Sequence, residues 1–307
     1  MKIAVTGGTG FVGSHVVNAL LRAGHEPRVL ARNPDAARSR FNRPVPVAAG
    51  DVSDAASLER AFSGCDAVVH LVGIINESEG LSFDAVHRQG TENVVGAMQR
   101  TGVRRLLHMS AMGSAPDAPS EYGRTKAAGE EAARRSGLEA TVLRPSIVFG
   151  PGDGFVTLLA KIVRLNPLFI PVIGPGTVRF MPVSVREVAG IFAAALEKPE
   201  TAGKTFEVGG PETLTMDEIY REIAAALGKP RKRLVHFPLW YGRILAAALS
   251  VLPNPPLTRD QLRSLSRDNV GDVAATADVF GAPAVRFADG IREYVRPRST
   301  HDARIGI

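Results

Sequence analysis

Short apolar runs alternate with amphipathic segments along the first half of the chain. The apolar runs predict six strands, at residues 2–6, 27–31, 45–49, 67–72, 106–110 and 140–143. Segments with apolar residues three or four positions apart predict helices at residues 12–23, 57–62, 83–101 and 122–136. Strands that alternate with helices in this way are typical of βαβ units in a parallel sheet. The sequence therefore predicts an α/β fold with a doubly wound parallel sheet.

The pattern changes after Gly150, where turns rich in glycine and proline separate the segments. The elements predicted in this half are helices at residues 185–196 and 216–227, a strand at 205–208 and an amphipathic stretch at 237–252. We predict a first domain over residues 1–150 and a smaller, mainly helical lobe over residues 151–307. Residues 185–210 are expected to return to the main sheet.

The 307-residue chain is 45% apolar and 22% charged, which is ordinary for a folded protein and excludes a disordered one. Cys65 is the only cysteine, so an intramolecular disulfide and a thiolate metal cluster are both excluded, and we predict no metal site. The net charge of +6 permits anionic ligands or a membrane surface. Because basic and acidic residues are interspersed, a solvated basic face is favoured, and we predict no nucleic-acid partner.

No apolar run has the length of a targeting or membrane-spanning segment. The run at the N-terminus, Ile3–Val5, is too short for the apolar core of a signal peptide. The longest later run, Ile244–Leu252, is less than half of the roughly 20 residues that a spanning helix needs. We expect a soluble or peripheral protein, with the cytoplasm as its default location.

Glycines are concentrated in the turn between the first predicted strand and the first predicted helix. Residues 6–13, Thr-Gly-Gly-Thr-Gly-Phe-Val-Gly, contain the pattern Gly-x-Gly-x-x-Gly. Glycine lets such a turn approach a pyrophosphate closely, and the free N–H groups at the helix N-terminus favour the anion. This context predicts a dinucleotide site in a Rossmann-type sheet, a packing turn being the alternative. The residues expected to bind the cofactor here are Gly7, Thr9, Gly10, Phe11, Val12 and Gly13.

The end of the second strand selects between the two nicotinamide dinucleotides. An acid about 20 residues after the glycines would bind the ribose 2′-hydroxyl, but Arg32 stands at that place. Because an arginine fork suits a 2′-phosphate, NADP (as NADPH) is favoured, with NAD as the alternative, since Asp35 can still serve a hydroxyl. Asp51 and Val52, after the third strand, are expected to contact adenine, although Asp51 can instead cap the next turn.

A tyrosine and a lysine four residues apart, Tyr122 and Lys126, lie on one face of a predicted helix. A lysine charge near a phenol favours the phenolate, which makes Tyr122 a candidate general acid or base for a carbonyl or alcohol. Ser110 ends the preceding strand and can polarise the same oxygen. The pair alone is common by chance, but the strand-end serine and the upstream glycines make the combination specific.

These residues together resemble the short-chain dehydrogenase/reductase superfamily, in its extended or atypical branch, which is similar to the NAD-dependent epimerases and dehydratases. The resemblance covers essentially the whole chain. It implies that Tyr122 is the acid/base, that Lys126 lowers the pKa of Tyr122 and holds the nicotinamide ribose, and that Ser110 positions the substrate oxygen. The further cofactor contacts that it implies are Leu71, Val72 and Gly73 after the fourth strand and Pro145 and Ser146 after the sixth.

The sequence departs from the pattern of that superfamily at two places. His87 stands where the superfamily usually has an asparagine that completes a proton relay. His87 can shuttle protons, but a helix histidine whose hydrogen bonds are already satisfied is the favoured interpretation. Ser184 and Arg186 stand where many sugar-nucleotide enzymes of the extended branch have histidine and aspartate. This second departure disfavours an epimerase or dehydratase.

Two segments in the second half of the chain resemble a narrower group of proteins within this superfamily. Residues 254–262 and 266–270 look like those of bacterial relatives of the NAD(P)-binding accessory subunit of respiratory complex I, a family similar to proteins implicated in ubiquinone synthesis. A packing role explains the segment equally well, because Pro255 and Pro256 stop a helix and Thr258 can cap the next one.

We therefore expect an enzyme, an NADPH-dependent oxidoreductase acting on a carbonyl or a quinone-pathway substrate. The main alternative is a non-catalytic nucleotide-binding subunit or assembly factor of a respiratory-type complex. A sugar-nucleotide epimerase or dehydratase is the least favoured hypothesis. The expected partner is an apolar small-molecule substrate, with a membrane surface or a respiratory complex as a further candidate.

The amphipathic stretch at residues 237–252 has two interpretations. It holds the only tryptophan, Trp240, and follows the basic run Lys229–Arg233, as in a helix that lies on an anionic membrane. One helical face of this stretch is also apolar, as in an ordinary core helix, and its residues are Ile244, Leu245, Ala248, Leu249 and Leu252. The core interpretation is favoured because most apolar helical faces are buried.

Overall fold

A computed structural model of the 307-residue chain describes residues 1–41, 43–78, 80–250, 252 and 255–295. Asn254, which begins one of the segments that carry the resemblance, lies outside the described residues.

The strands, in chain order, are β1 (Lys2–Thr6), β2 (Glu26–Ala31), β3 (Val47–Ala49), β4 (Ala67–His70), β5 (Arg105–Met109), β6 (Glu139–Pro145), β7 (Val148–Phe149), β8 (Phe169–Ile173), β9 (Arg179–Phe180), β10 (Val183–Ser184), β11 (Thr205–Val208), β12 (Leu214–Thr215) and β13 (Arg233–Phe237). The α-helices are α1 (Phe11–Arg22), α2 (Pro34–Arg38), α3 (Ala55–Phe62), α4 (Gly90–Thr101), α5 (Glu121–Arg135), α6 (Phe155–Leu165), α7 (Val185–Leu196), α8 (Met216–Ala226), α9 (Leu239–Leu249), α10 (Arg259–Ser264), α11 (Ala274–Phe280) and α12 (Phe287–Ile291). A π-helical turn spans Ala85–Gln89 and a 3₁₀ turn spans Pro199–Thr201.

The chain forms two compact units. Unit 1 comprises Met1–Pro145, Val185–Val208 and Gly271–Ala282. Unit 2 comprises Ser146–Ser184, Gly209–Val270 and the described residues from Pro283 onward. The chain first changes unit between Pro145 and Ser146, whereas the sequence suggested residue 150, and the segment that contains α11 lies in unit 1 rather than with the rest of the second half.

Unit 1 is built on a seven-stranded sheet in the order β11-β6-β5-β4-β1-β2-β3, with every neighbouring pair parallel. The predicted doubly wound α/β fold is thus confirmed, including the return of the strand at 205–208 to the main sheet. The strand order reverses between β1 and β4. Ligands of such sheets bind at this reversal, beyond the carboxyl ends of the strands.

The centre of the sheet is apolar because its strands are covered on both faces. Ile3, Ala4 and Val5 of β1 are fully buried. Helices α1 and α7 pack together, and α4 packs against both α3 and α5. Leu58, Met98 and Leu106 belong to the apolar cluster between the second group of helices and the sheet.

Unit 2 contains three two-stranded sheets: β10 with β7, β12 with β9, and β13 with β8. Its core is formed by apolar side chains of β8, α6, α8 and α12, among them Ile170, Ile223 and Phe287. The pairing of β8 with β13 was not anticipated, because the sequence predicted no strand at either place and β13 begins in the basic run Lys229–Arg233.

Two helices of unit 2 begin with capping boxes. Thr215 caps α8 with Glu218, and Thr258 caps α10 with Gln261, as the sequence suggested for Thr258. In the described part of the chain, no helix combines the length and the apolarity that crossing a bilayer requires.

The helix predicted at residues 83–101 contains one widened turn. Over Ala85–Gln89 it is π-helical, and the N–H of Gly90 donates to the carbonyl of Ala85, five residues back. It ends at Gly102, whose φ of 74° is the left-handed conformation typical of the residue that follows a helix. Such π-turns occur frequently at functional sites.

Helix α5 approaches this π-turn closely at Gly129. A Cβ atom at Gly129 would lie 2.2 Å from the carbonyl oxygen of His87, whereas nothing lies within 4 Å of a Cβ atom at Gly190 in α7. We expect Gly129→Ala to lower the free energy of unfolding by about 1–3 kcal/mol, as overpacking does.

The matched variant Gly190→Ala is expected to raise the free energy of unfolding by up to about 1 kcal/mol, because alanine favours helices more than glycine does. Urea unfolding followed by circular dichroism measures both variants. A stabilised Gly129→Ala protein would contradict the close packing described here.

Candidate dinucleotide and active site

The predicted glycine loop joins β1 to the N-terminus of α1. Gly7 has a φ of 74°, and a Cβ atom on it would lie 2.9 Å from the backbone of Leu71 and Val72. A Cβ atom on Gly13 would lie 2.0 Å from the carbonyl oxygen of Gly7. These positions require glycine, and they bring the loop to the reversal point of the sheet.

The N-terminus of α1 is suited to an anion. Helix α1 starts after Gly10, has no acidic residue in its first turn and receives no side-chain cap from Gly10. Because the first N–H groups of a helix have no intrahelical acceptor, those of Phe11, Val12 and Gly13 are available to a phosphate. Thr9, the other residue predicted here, accepts a hydrogen bond at its carbonyl from Nη1 of Arg40 (3.3 Å).

The loop after β4 connects the glycine loop to the catalytic candidates. The N–H of Leu71 donates to the carbonyl of Thr6 (3.0 Å) and extends the pairing of β4 with β1. Two residues later, a Cβ atom on Gly73 would lie 3.7 Å from Nζ of Lys126 and 3.6 Å from Nε2 of His87. Unit 1 thus brings together the predicted residues Leu71, Gly73 and Lys126.

Arg32 lies at the end of β2 with its side chain 76% exposed, and its Nε lies 3.9 Å from Oδ2 of Asp51. Oδ1 of Asp51 accepts hydrogen bonds from the N–H and the hydroxyl of Ser53, as expected if Asp51 caps the next turn. Asp35, the carboxylate considered for a ribose hydroxyl, pairs with Arg38 (2.5 Å). The arginine is therefore the side chain at this strand end that is exposed and only loosely paired.

Val52 and Ser146, both predicted to contact the cofactor, form hydrogen bonds within the protein that the sequence did not indicate. Val52 is buried, and its carbonyl accepts a hydrogen bond from Asn93 (2.9 Å). Ser146 belongs to unit 2, where its hydroxyl donates to Oδ1 of Asn269 (2.6 Å). Pro145 ends β6 in unit 1, and its carbonyl accepts from the N–H of Met112 (2.9 Å).

Helix α5 positions Tyr122 and Lys126 one turn apart. Ser120 caps the helix by accepting from the N–H of Gly123 (3.2 Å). Lys126 is 3% exposed, and its Nζ donates to the carbonyl of Met109 (2.5 Å) at the end of β5. Burial lowers the pKa of Lys126 to about 8, although the charge of Glu130 opposes this shift.

The expected activation of the phenol is not present in this arrangement. Burial raises the pKa of Tyr122 to about 12, the direction opposite to the expectation, and Lys126 donates to a backbone carbonyl. The phenol of Tyr122 is therefore protonated near pH 7. That protonation state is the one a carbonyl reduction needs.

Ser110 directly follows β5, next to the carbonyl that Lys126 contacts. It is 1% exposed, and its N–H donates to the carbonyl of Leu143 (2.8 Å). Among the described residues its hydroxyl has no hydrogen-bond partner. An unsatisfied buried hydroxyl costs about 1–3 kcal/mol, so the oxygen of a bound molecule would be a stabilising partner.

Both ring nitrogens of His87 form hydrogen bonds. Its Nε2 accepts a hydrogen bond from the N–H of Ile74 (3.1 Å), so its Nδ1 carries the proton and donates to Oγ1 of Thr125 (3.0 Å). The ring stacks on Phe83 and meets the edge of Tyr122, with centroid distances of 5.6 and 5.3 Å. Burial, and then the charge of Lys126, lower the pKa of His87 to about 3. Both nitrogens are occupied, which agrees with the favoured interpretation of this histidine.

Sequence reasoning missed four contributors to the site. Phe83 supports the ring of Tyr122, with centroids 6.0 Å apart, and the carbonyl of Met109 holds Lys126. Thr125, inside the Tyr-x-x-x-Lys segment, joins His87 to α5. Arg40 brings a second cation to the glycine loop. Of these four residues, only Thr125 could have been proposed from the sequence, because it lies within the Tyr-x-x-x-Lys segment directly before Lys126.

The sequence model of the NAD dependent epimerase/dehydratase family matches residues 3–209, which include the glycine loop and the catalytic candidates. The chain belongs to this family. The resemblance stated from the sequence is therefore confirmed, and the family is one of NAD(P)-binding proteins. The described residues contain no group of three or more histidine, cysteine, aspartate or glutamate side chains able to hold a metal ion.

Individual relatives of the family differ in what they do. NADH dehydrogenase (ubiquinone) 1 alpha subcomplex subunit 9 of Arabidopsis thaliana mitochondria is 31% identical over 93% of this chain and 72% of its own length. The ceramide reductase of Caulobacter vibrioides is 29% identical over 83% of this chain and 80% of its own length. The structure of Thermus thermophilus UDP-glucose 4-epimerase with NAD has a TM-score of 0.73 at 24% identity, covers 96% and 98% of the two chains, and supports the family fold.

A buried network of imidazoles and hydroxyls lies beside Lys126. Nδ1 of His70 lies 2.6 Å from Oγ1 of Thr6, and its Nε2 lies 3.1 Å from Oγ1 of Thr91. Burial, and then the charges of Lys126 and His87, lower the pKa of His70 to about 3. His108 pairs with His70 across the sheet and is also buried, and its pKa is lowered well below the usual value by the same causes. All three imidazoles are therefore neutral near pH 7.

This network makes stability depend on pH. Unfolded His70 takes up a proton near pH 6.5, whereas folded His70 does so only near pH 3, so the free energy of unfolding falls as the pH is lowered from 7 to 5. We expect His70→Gln to reduce that fall by about 2 kcal/mol, the difference in proton uptake of one such histidine. Urea unfolding at both pH values measures it, and equal falls in the two proteins would contradict the neutral buried imidazole.

Proposed function

We propose that this protein is an NADPH-dependent oxidoreductase that reduces a carbonyl group. The observation that carries the proposal is the buried, unpartnered hydroxyl of Ser110 beside the strand end that holds Lys126. A protein that used the nucleotide only as a structural element would gain nothing from an unsatisfied hydroxyl at this place. A substrate oxygen would satisfy it.

The backbone around the glycine loop fits a dinucleotide. The spaces at Gly7 and Gly13 are ones that a side chain would block, and the first turn of α1 presents free N–H groups without an acid. Arg32 and Arg40 bring two cations to this end of the sheet, which supports NADPH over NADH. When bound, NADPH supplies a hydride to the carbonyl carbon.

Side chains of the protein bind the carbonyl oxygen of the substrate and supply its proton. Ser110 would donate a hydrogen bond to it, and Tyr122 would donate its phenolic proton to it, so that the carbonyl becomes an alcohol once the bound cofactor has supplied the hydride. The charge of Lys126 stabilises the phenolate that remains, and a proton from solvent restores the phenol. His87 and Phe83 hold the ring of Tyr122 in place throughout.

We propose an apolar substrate, of the quinone-pathway or lipid type. Two groups packed on the ring of Tyr122, the ring of Phe83 and the neutral imidazole of His87, are uncharged and suit an apolar substrate. The similarity to a ceramide reductase supports the same class of substrate. A cytoplasmic location, peripheral at the membrane, is part of this proposal.

A non-catalytic nucleotide-binding subunit of a respiratory-type complex is the second candidate. The contact of Lys126 with Met109 and the similarity to a subunit of the mitochondrial NADH dehydrogenase favour it. A sugar-nucleotide epimerase or dehydratase receives no such support, because Ser184 and Arg186 stand in place of the residues usual in those enzymes.

The test of catalysis is Tyr122→Phe, which removes the proton but keeps the ring. With apolar ketones and quinones as substrates, we expect NADPH oxidation to fall by about 10²–10⁴-fold, the usual contribution of a positioned acid, while NADPH affinity is unchanged. Tyr220→Phe, which removes a hydroxyl from the core of unit 2, serves as the control and keeps its turnover. Undiminished turnover in Tyr122→Phe would refute the assignment; tight NADPH binding without turnover in the parent protein would favour the second candidate.

The test of cofactor choice is Arg32→Ala. We expect NADPH binding to weaken by about 1.5–3 kcal/mol, the contribution of a charged hydrogen bond, with little change for NADH. Calorimetric titration measures both, and Arg22→Ala at the end of α1 is the matched control. Equal losses for the two cofactors would contradict the preference.

A further inference from the structure

Unit 2 exposes large apolar side chains on three neighbouring elements. Leu168, just before β8, is 81% exposed, and Trp240 on α9 is 61% exposed. We use the name apolar–basic surface for these two residues together with the exposed Leu165, Val235, Ile244, Lys229, Arg231, Arg233 and Arg243. Scattered exposed apolar residues are ordinary, but a concentration of them marks an interaction site.

The pairing of β13 with β8 brings these elements together. Arg233 pairs with Phe169, the residue after Leu168, and Val235 pairs with Pro171 on the same face. At the end of β13, Phe237 stacks on Tyr241 of α9 with centroids 5.1 Å apart. Nζ of Lys232 donates to the carbonyls of Val163 and Asn166, which ties the basic run to the end of α6, where Leu165 lies.

Helix α9 is seated by its small residues. Gly242 and Ala246 are its buried positions, and a Cβ atom on Gly242 would lie 2.5 Å from Cγ2 of Ile173. The large side chains of Trp240 and Ile244 are exposed, so the core interpretation of this helix fails for Ile244. Helix α9 thus leaves two of its large apolar side chains exposed, while Leu245 and Leu249 are half-buried.

The charged residues in the segments that carry these side chains are all basic. Residues 154–178 and 228–258 contain seven lysines and arginines and no aspartate or glutamate. In the described part of the chain, Lys229, Arg231, Arg233 and Arg243 form no ion pair. The nearby acid of α8, Asp217, hydrogen-bonds to His236 (2.9 Å).

We propose that the apolar–basic surface docks unit 2 on a bilayer that contains anionic lipids. Exposed tryptophan, isoleucine and leucine enter the boundary between headgroups and acyl chains, and the surrounding cations contact the lipid phosphates. The charge disfavours a second copy of this chain as the occupant, because a two-fold contact would set the same cations against each other. The proposal is independent of whether the protein turns over a substrate.

Vesicle flotation of the full chain tests the proposal. Vesicles of phosphatidylcholine alone are compared with vesicles that contain about one-third phosphatidylglycerol, at low ionic strength and at about 0.15 M salt, where screening acts beyond about 8 Å. The protein is expected to float with the anionic vesicles at low salt and to bind less at the higher salt. Failure to float with anionic vesicles at low salt overturns the proposal and leaves a protein partner as the occupant.

The apolar contribution is tested with the double variant Trp240→Ser and Ile244→Ser. Both side chains are exposed, so the fold does not depend on them, and partition onto anionic vesicles should fall by about tenfold or more. The matched control is Ile75→Ser, an equally exposed isoleucine of unit 1 (66%), which keeps its partition. Equal partition of the double variant and the control overturns the apolar contact.

The charge contribution is tested with the double variant Arg231→Glu and Arg233→Glu. Loss of about 1 kcal/mol for each basic residue predicts a fall in partition of at least about 30-fold. Arg22→Glu with Arg60→Glu makes the same change of net charge on unit 1 and should lower partition far less. If both double variants lose partition equally, only the net charge of the protein matters and the assignment of the surface is wrong. A dimer in solution that the Trp240 and Ile244 substitutions dissociate would also overturn it.

Discussion

The site of unit 1 depends on a contact between two backbones at the reversal point of the sheet. Gly7 touches the peptide between Leu71 and Val72 at a distance that leaves no room for a Cβ atom. The loop after β4 therefore touches the glycine loop at Leu71 and Val72. The next residue of the same loop, Gly73, lies beside both Lys126 and His87. The glycine loop and helix α5, whose residues Gly7 and Lys126 are more than 100 positions apart in sequence, thus both lie against the loop that follows β4.

Around that contact the electrostatics are organised by burial rather than by ion pairs. His70, His87 and His108 are all neutral in the folded protein, since burial and the charge of Lys126 both oppose their protonation. Threonine hydroxyls from β1, α4 and α5 satisfy His70 and His87. Lys126 therefore remains the one cation among them, and its charge acts on all three imidazoles.

The sequence indicated the parts of this site whose signals are local. The glycine loop, the strand-end Ser110 and the spacing of Tyr122 and Lys126 depend on elements that alternate clearly, so their positions followed from the pattern. The acceptor of Lys126 was hidden, because a backbone carbonyl such as that of Met109 carries no sequence signal. Strand β13 was missed since its first residue continues a basic run, and α9 was misjudged because its buried face is made of glycine and alanine.

The π-turn at Ala85–Gln89 has a consequence for how the family can vary. A π-turn holds one residue more than the α-helical turn that it replaces, and each α-helical residue advances the helix by about 100°. Deleting a single residue from the turn would restore a regular helix and rotate its start, with Phe83, by that angle relative to α5. The support of the Tyr122 ring would then be lost without any change to Tyr122, Lys126 or Ser110. The number of residues in this one turn therefore determines whether Phe83 can support the ring of Tyr122.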